Sequence, residues 1–140
     1  MIVFDTSVVY ALVDAGDHAH ATCAAWYETV HEDIATTPLV VAEADFLVAA
    51  RAGAPALQAF RRDLADGAYS VEWWADALSE SVIVAEQYVG LGVGLVDASL
   101  VALAARLETV KIATLDERHF RAMRPLSGGS TFRLLPADAR

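Results

Sequence analysis

Met1-Ile2-Val3-Phe4-Asp5-Thr6-Ser7 sets a β-branched and aromatic run against an acid and two hydroxyls. An apolar run closed by an abrupt polar break reads as a short buried strand, Met1–Phe4, ending at Asp5. Val110–Thr114 is a second run of this kind, leading through Leu115 to Asp116. Ile34–Thr37 and Tyr69–Trp74 lie between the two, and Phe132–Leu135 follows a Gly128-Gly129-Ser130 loop. Stretches with helical spacing separate the strands: Ser7–Val13, His18–His31, Leu39–Ala52, Pro55–Ala65, Ala75–Tyr88 and Asp97–Leu107. Strands alternating with helices predict an α/β/α sandwich around a central, mainly parallel sheet of four to five strands.

The punctuation supports these elements. Asp14-Ala15-Gly16-Asp17 is a turn in which Asp17 is placed to cap the next helix, whose Ala19, Cys23, Trp26, Tyr27 and Val30 form one apolar stripe. Pro38 suits the first turn of a helix that stops at Gly53. That helix is apolar nearly all round, which predicts burial or a protein contact, and a homodimer in particular. Gly90-x-Gly92-x-Gly94 follows a helix rather than a strand, so it reads as a loop and not as a dinucleotide fingerprint.

Composition bounds the function. With 140 residues, 56% of them hydrophobic, the chain is expected to be a single domain over 1–140. Acids interrupt every long apolar run, which excludes a membrane span, and no basic segment precedes the first strand as a secretory signal would require. A lone Cys23 fits a reducing compartment, so a cytoplasmic location is expected. Lys+Arg 10 against Asp+Glu 19 leaves a formal charge of −9. Such a chain repels nucleic acid unless its acids are gathered and neutralised at one place.

Parallel sheets bind ligands outside the carboxyl ends of their strands. Asp5 and Asp116 fall there if both strands are central. Glu43, flanked by Leu39, Val40, Phe46 and Leu47, and Asp97, heading a stripe of Leu100, Val101 and Ala104, complete a set of four unusual acids. Each alone has a simpler explanation: Asp5, Asp97 and Asp116 suit helix starts, and Asp45 is as apolar in its setting as Glu43. His18 and His20 point in different directions on a helix, Cys23 lies on an apolar stripe, and Trp73-Trp74 fits packing better than base stacking.

Taken in order, the four acids resemble the PIN-domain nucleases. Asp5-Thr6-Ser7 is similar to the family's opening motif, Glu43 in Thr37-Pro38-Leu39-Val40-Val41-Ala42-Glu43 to its helical glutamate, Leu95-Val96-Asp97-Ala98-Ser99-Leu100 to its third motif, and Ala113-Thr114-Leu115-Asp116-Glu117-Arg118-His119-Phe120 to its last. The short chain and the Asp17-His18-x-His20 segment most resemble the VapC-type toxins of toxin–antitoxin pairs. The resemblance implies a Mg²⁺- or Mn²⁺-dependent endoribonuclease in which Asp5, Glu43, Asp97 and Asp116 are both the catalytic residues and the metal ligands. It also implies a cognate antitoxin as partner, RNA as substrate, and a homodimer or a larger assembly with the antitoxin.

Physical chemistry agrees with the metal requirement. Two carboxylates about 4 Å apart at an effective dielectric of roughly 20 repel by about 4 kcal/mol, so four stay ionised together only with cations. Oxygen donors select hard ions, which activate water and offset charge on a phosphate. Thr6 and Thr114 are candidates to orient the acids or touch the phosphate, with a plain turn hydroxyl as the equal alternative for Thr6. Arg118 and His119 are placed to meet RNA, or simply to face solvent. Two other readings compete: a non-catalytic PIN-like interaction module, and a receiver-like phospho-acceptor. The receiver needs an acidic pair after the first strand and a lysine after a later one, whereas the sole lysine, Lys111, begins a strand.

Overall fold

Five short strands, β1 (Ile2–Phe4), β2 (Ile34–Thr36), β3 (Ser70–Val71), β4 (Lys111–Ala113) and β5 (Arg133–Leu135), make one sheet in the computed structural model, which describes residues 1–140. The order is β3-β2-β1-β4-β5 and every pairing is parallel. The central β1 is buried along its whole length, as its apolar run requires. Its register aligns Val3 with both Ala35 and Ile112, so the ends of β1 and β4 lie side by side.

Seven helices fill the crossovers: α1 (Thr6–Val13), α2 (His20–Tyr27), α3 (Pro38–Arg51), α4 (Ala54–Ala65), α5 (Ala77–Gln87), α6 (Leu95–Arg106) and α7 (Glu117–Ala122). The path from β1 to β3 moves one way across the sheet and the return to β4 and β5 moves the other. Right-handed crossovers therefore place α1–α4 on one face and α5–α7 on the opposite face. The reversal falls between β1 and β4, where a crevice opens at the carboxyl ends of the strands.

Phe4 anchors one face, its ring centroid lying 5.8 Å from Trp26, 6.3 Å from Tyr27 and 6.1 Å from Tyr69. Truncating so fully buried a ring costs about 3–5 kcal/mol. On the other face, Ala98–Ala104 of α6 is entirely buried. Its alanines let the helix approach the sheet closely.

Several expectations change. The strand expected over Tyr69–Trp74 shrinks to Ser70–Val71 at the sheet's edge, and both residues are exposed. Trp73 and Trp74 leave the sheet; Trp74 donates its indole N–H to Glu80 at 3.0 Å and carries the Arg106 guanidinium 5.0 Å above its ring. Helix α2 is shorter than His18–His31, ending where the Thr29 hydroxyl donates to the Trp26 carbonyl at 2.7 Å. Helix α3 is amphipathic rather than buried all round: Val40, Ala44 and Val48 face inward, while Phe46 is 71% exposed. Gly53 stops α3 with φ at 87°, a conformation that side chains resist. No helix is long and apolar enough to cross a membrane.

Candidate active site at the carboxyl ends of β1 and β4

The chain leaves β1 directly into α1, and Asp5 stands at the junction as the helix cap. Its Oδ1 accepts the Thr6 backbone N–H at 2.7 Å, while Oδ2 accepts from the Ser7 hydroxyl at 2.8 Å and the Thr114 hydroxyl at 2.7 Å. Capping and membership of the acid cluster are thus compatible for Asp5. Thr114 in turn accepts the Asp116 backbone N–H at 2.9 Å, and Ser7 accepts that of Leu115 at 2.9 Å. These bonds tie the ends of β1 and β4 into one polar platform.

Asp97 is not a cap. It sits in the first turn of α6, whose N-cap is Gly94. Asp116 does cap the short α7, accepting weakly from the His119 backbone N–H at 3.5 Å. A buried bond of 2.9 Å between the Thr37 and Ser99 hydroxyls pins the start of α3 to α6. That contact fixes the helices bearing Glu43 and Asp97 relative to each other.

Asp5, Glu43, Asp97 and Asp116 all line one open groove of about 500 Å³. Thr6, Ser7 and Tyr10 supply one wall from α1, and Glu43, Leu47 and Arg51 the other from α3. Asp17 and His18 close one end. Asp45 goes elsewhere, receiving two bonds from Arg61 of α4 at 2.7 and 2.9 Å. Glu43 is exposed to the groove rather than buried among its apolar neighbours.

Electrostatics marks this end of the sheet. Asp5 is 4% exposed, and burial pushes its carboxyl up to about 6 despite three donated hydrogen bonds. Nearby Asp97 adds to the rise. Asp97 itself is raised, chiefly by burial, with Asp116 and Glu43 contributing repulsion. His119 is the local counterweight. Its Nδ1 lies 2.9 Å from Asp97 Oδ2 and 3.3 Å from Asp116 Oδ2, and the bond to Asp97 raises its pKa.

His119 is therefore in the cluster, not in solvent. Its position three residues after Asp116 puts both on one face of α7, but the sequence does not reveal that Asp97 approaches that face. Ser7, which the sequence offers only as the start of a helix and as part of the Asp5-Thr6-Ser7 motif, is likewise a site residue, through its bond to Asp5. Arg118 is exposed on α7 and does not line the groove. Thr6 contributes its backbone N–H to Asp5, while its side-chain Oγ1 is buried without a hydrogen-bond partner.

The donor set fits a divalent cation. One carboxylate oxygen each from Asp97 and Asp116 and a ring nitrogen of His119 lie within 4.8 Å of one another. Two acids held above their ordinary pKa and an orphaned hydroxyl in the same groove describe a site short of positive charge and of one polar partner. The receiver-like alternative loses its lysine: Lys111 lies at the opposite end of β4, paired with Glu32 at 2.6 Å.

An all-parallel five-stranded sheet with its acids gathered at the point of strand reversal defines a class, and comparison with known proteins names it. The chain matches the PIN domain over residues 2–124 and belongs to that family. It is of the VapC type, being 37% identical over 136 residues to Ribonuclease VapC26 of Mycobacterium tuberculosis (strain ATCC 25618 / H37Rv), a match covering 96% of this chain and 100% of the relative. Among solved structures, M. tuberculosis VapC20, a sarcin-ricin loop cleaving toxin, superposes with a TM-score of 0.78 at 23% identity, covering 84% of this chain and 92% of the other. FitAcB from Neisseria gonorrhoeae gives 0.62 at 18% identity, covering 84% and 88%. At those identities the two likenesses bear on the fold.

Proposed function

We propose that the protein is a divalent-metal-dependent endoribonuclease that acts as the toxin of a toxin–antitoxin pair. The observation that carries this reading is the convergence of Asp5, Glu43, Asp97 and Asp116, from four separate segments, on one groove where burial lifts Asp5 to about 6. Kinship with a ribonuclease at 37% identity supports it independently.

In this reading the four acids hold Mg²⁺ or Mn²⁺, with His119 close enough to Asp97 and Asp116 to share or yield that place. When bound, such ions supply an activated water and charge compensation for a phosphodiester undergoing in-line hydrolysis. The chain's own residues prepare the site. Thr114 and Ser7 hold one Asp5 oxygen, and the Thr6 N–H holds the other, so that this carboxylate keeps a fixed orientation. Thr6 lines the groove, and its hydroxyl is buried without a hydrogen-bond partner.

Partners follow from the surface. Leu78, Val82 and Ile83 of α5, with Val89 and Leu91 just beyond it, are exposed, as is Phe46 of α3. Their exposure supports a homodimer. The acid groove suits a basic side chain of the antitoxin, and the cytoplasm is where RNA and a reduced Cys23 are expected together.

Cleavage of RNA by the purified protein in Mg²⁺ or Mn²⁺, with and without chelator, and by the Asp5→Asn and Asp97→Asn variants, tests the reading. Activity lost on chelation and in both variants is the expected result. Activity that survives chelation or both substitutions overturns it.

A further inference from the structure

Of the ten lysines and arginines, four are committed to partners away from the acid groove, and Arg51 is the one that lines it. Arg61 is bound to Asp45, Lys111 to Glu32, Arg121 to Glu117 and Asp138, and Arg106 lies over Trp74. Arg51 is different. It ends α3 and lines the groove with Glu43 and Leu47, at i, i+4 and i+8 of one helical stripe. Tyr10 faces it from α1, and the guanidinium lies near enough to oppose the rise in the Tyr10 pKa. The Tyr10 hydroxyl is already spent on Asp14, at 2.6 Å. Although Asp17 and Glu43 share the groove, Arg51 forms no ion pair with either.

A groove built from acids on a chain of net charge −9 has to hold a polyanion by some means besides its metals. Eight residues of helix separate Glu43 from Arg51, about 12 Å along the axis. A phosphate held at the acids is thus distinct from one held at the α3 terminus. We propose that Arg51 binds the RNA phosphate next to the one being cleaved, so that the strand runs along the groove between α1 and α3. The proposal rests on the nuclease reading above and deepens it by naming a positioning residue. It also accounts for an uncompensated arginine where an acid partner was within the same groove: a guanidinium free of carboxylates keeps its paired donors for a phosphate.

The test uses a short single-stranded RNA cut at one place, with methylphosphonates replacing each phosphate in turn. Arg51→Ala is expected to raise KM by roughly 10-fold to 100-fold, with kcat changed far less. Arg51→Lys should recover part of the loss, since it keeps the charge but not the paired donors. One neutralised phosphate beside the cleavage point should weaken wild-type binding and have no further effect in Arg51→Ala. RNA binding by Asp97→Asn, read by fluorescence anisotropy, should show the same dependence on Arg51 without any turnover. If Asp97→Asn binds RNA through Arg51 but the wild type cleaves nothing, the nuclease reading fails while Arg51 remains an RNA-phosphate contact of the groove. An unchanged KM and anisotropy in Arg51→Ala overturn the assignment, as does a variant that loses antitoxin binding while keeping RNA affinity. Matching melting temperatures for Arg51→Ala and wild type exclude a folding explanation.

Discussion

The two ends of the central strands treat carboxylates in opposite ways. At the amino ends, Glu32 receives the Met1 ammonium at 2.7 Å and the Lys111 ammonium at 2.6 Å, and these bonds hold its carboxyl down at about 2. At the carboxyl ends, Asp5 has hydroxyl and amide donors but no cation, and burial lifts it to about 6. The residue class is the same and the distance is only one short strand. The difference is that one end is neutralised from within the chain, whereas the other, on the proposed metal-dependent reading, takes its charge from outside. A folded protein tolerates such an imbalance where a ligand removes it.

The contrast can be broken most severely by removing the awaited charge or its ligands. Chelation, or Asp97→Asn, should reduce RNA cleavage at least roughly 100-fold in initial-rate assays. Glu32→Gln, at the neutralised end, should stay within about 2-fold of wild type. Equal losses at the two ends would erase the distinction. His119→Ala comes next, because it removes the one internal group bridging Asp97 and Asp116. A loss of roughly 10-fold in activity or in Mn²⁺ affinity, measured by titration calorimetry, is expected.

Stability against pH sharpens the comparison further. Asp5 has a folded pKa near 6 against an ordinary 3.8, so its protonated form is favoured by folding. Without metal, stability is greatest below the ordinary value and falls as pH rises from about 4 through about 6. The loss is of order 3 kcal/mol, visible in urea melts, and Asp5→Asn should flatten the slope. Saturating Mn²⁺ should reverse the loss in the wild type by mass action. Glu32 works with the opposite sign. Its folded pKa near 2 lies below the ordinary 4.5, so its contribution is present above that ordinary value and disappears as pH falls toward 2. At 39% exposure solvent screens the pair, and Glu32→Gln should cost under about 1 kcal/mol, less in high salt.

Much of this arrangement was legible along the chain. Runs such as Ile2–Phe4 and Lys111–Ala113 announce buried parallel strands because both their faces are covered and no alternation is needed. Asp5 and Asp116 announce a site because they end two such runs. Edge strand β3 was not legible to the same degree, since Ser70 and Val71 are both exposed and bury no apolar run. For helix α3 the choice between burial and a protein contact is not legible along the chain either. Hydrophobicity alone does not say which apolar residues meet the sheet, and Phe46 does not.

The residue types of the site and their order belong to the sequence: four acids, two of them at strand ends, and too few cations to balance them. Their chemistry follows from charge and donor type, which do not depend on the fold. What only the tertiary structure decided is which neighbours each acid meets. Glu43 and Asp45 are indistinguishable by periodicity until α4 brings Arg61 to Asp45 and leaves Glu43 in the groove. His119 reads as surface until α6 sets Asp97 2.9 Å from its ring, across 22 residues of chain. Arg51 becomes distinctive only because α1 and α3 enclose it with the acids. Electrostatic energies fall with distance in space, not along the chain, so partners remote in sequence are settled only when the chain is folded.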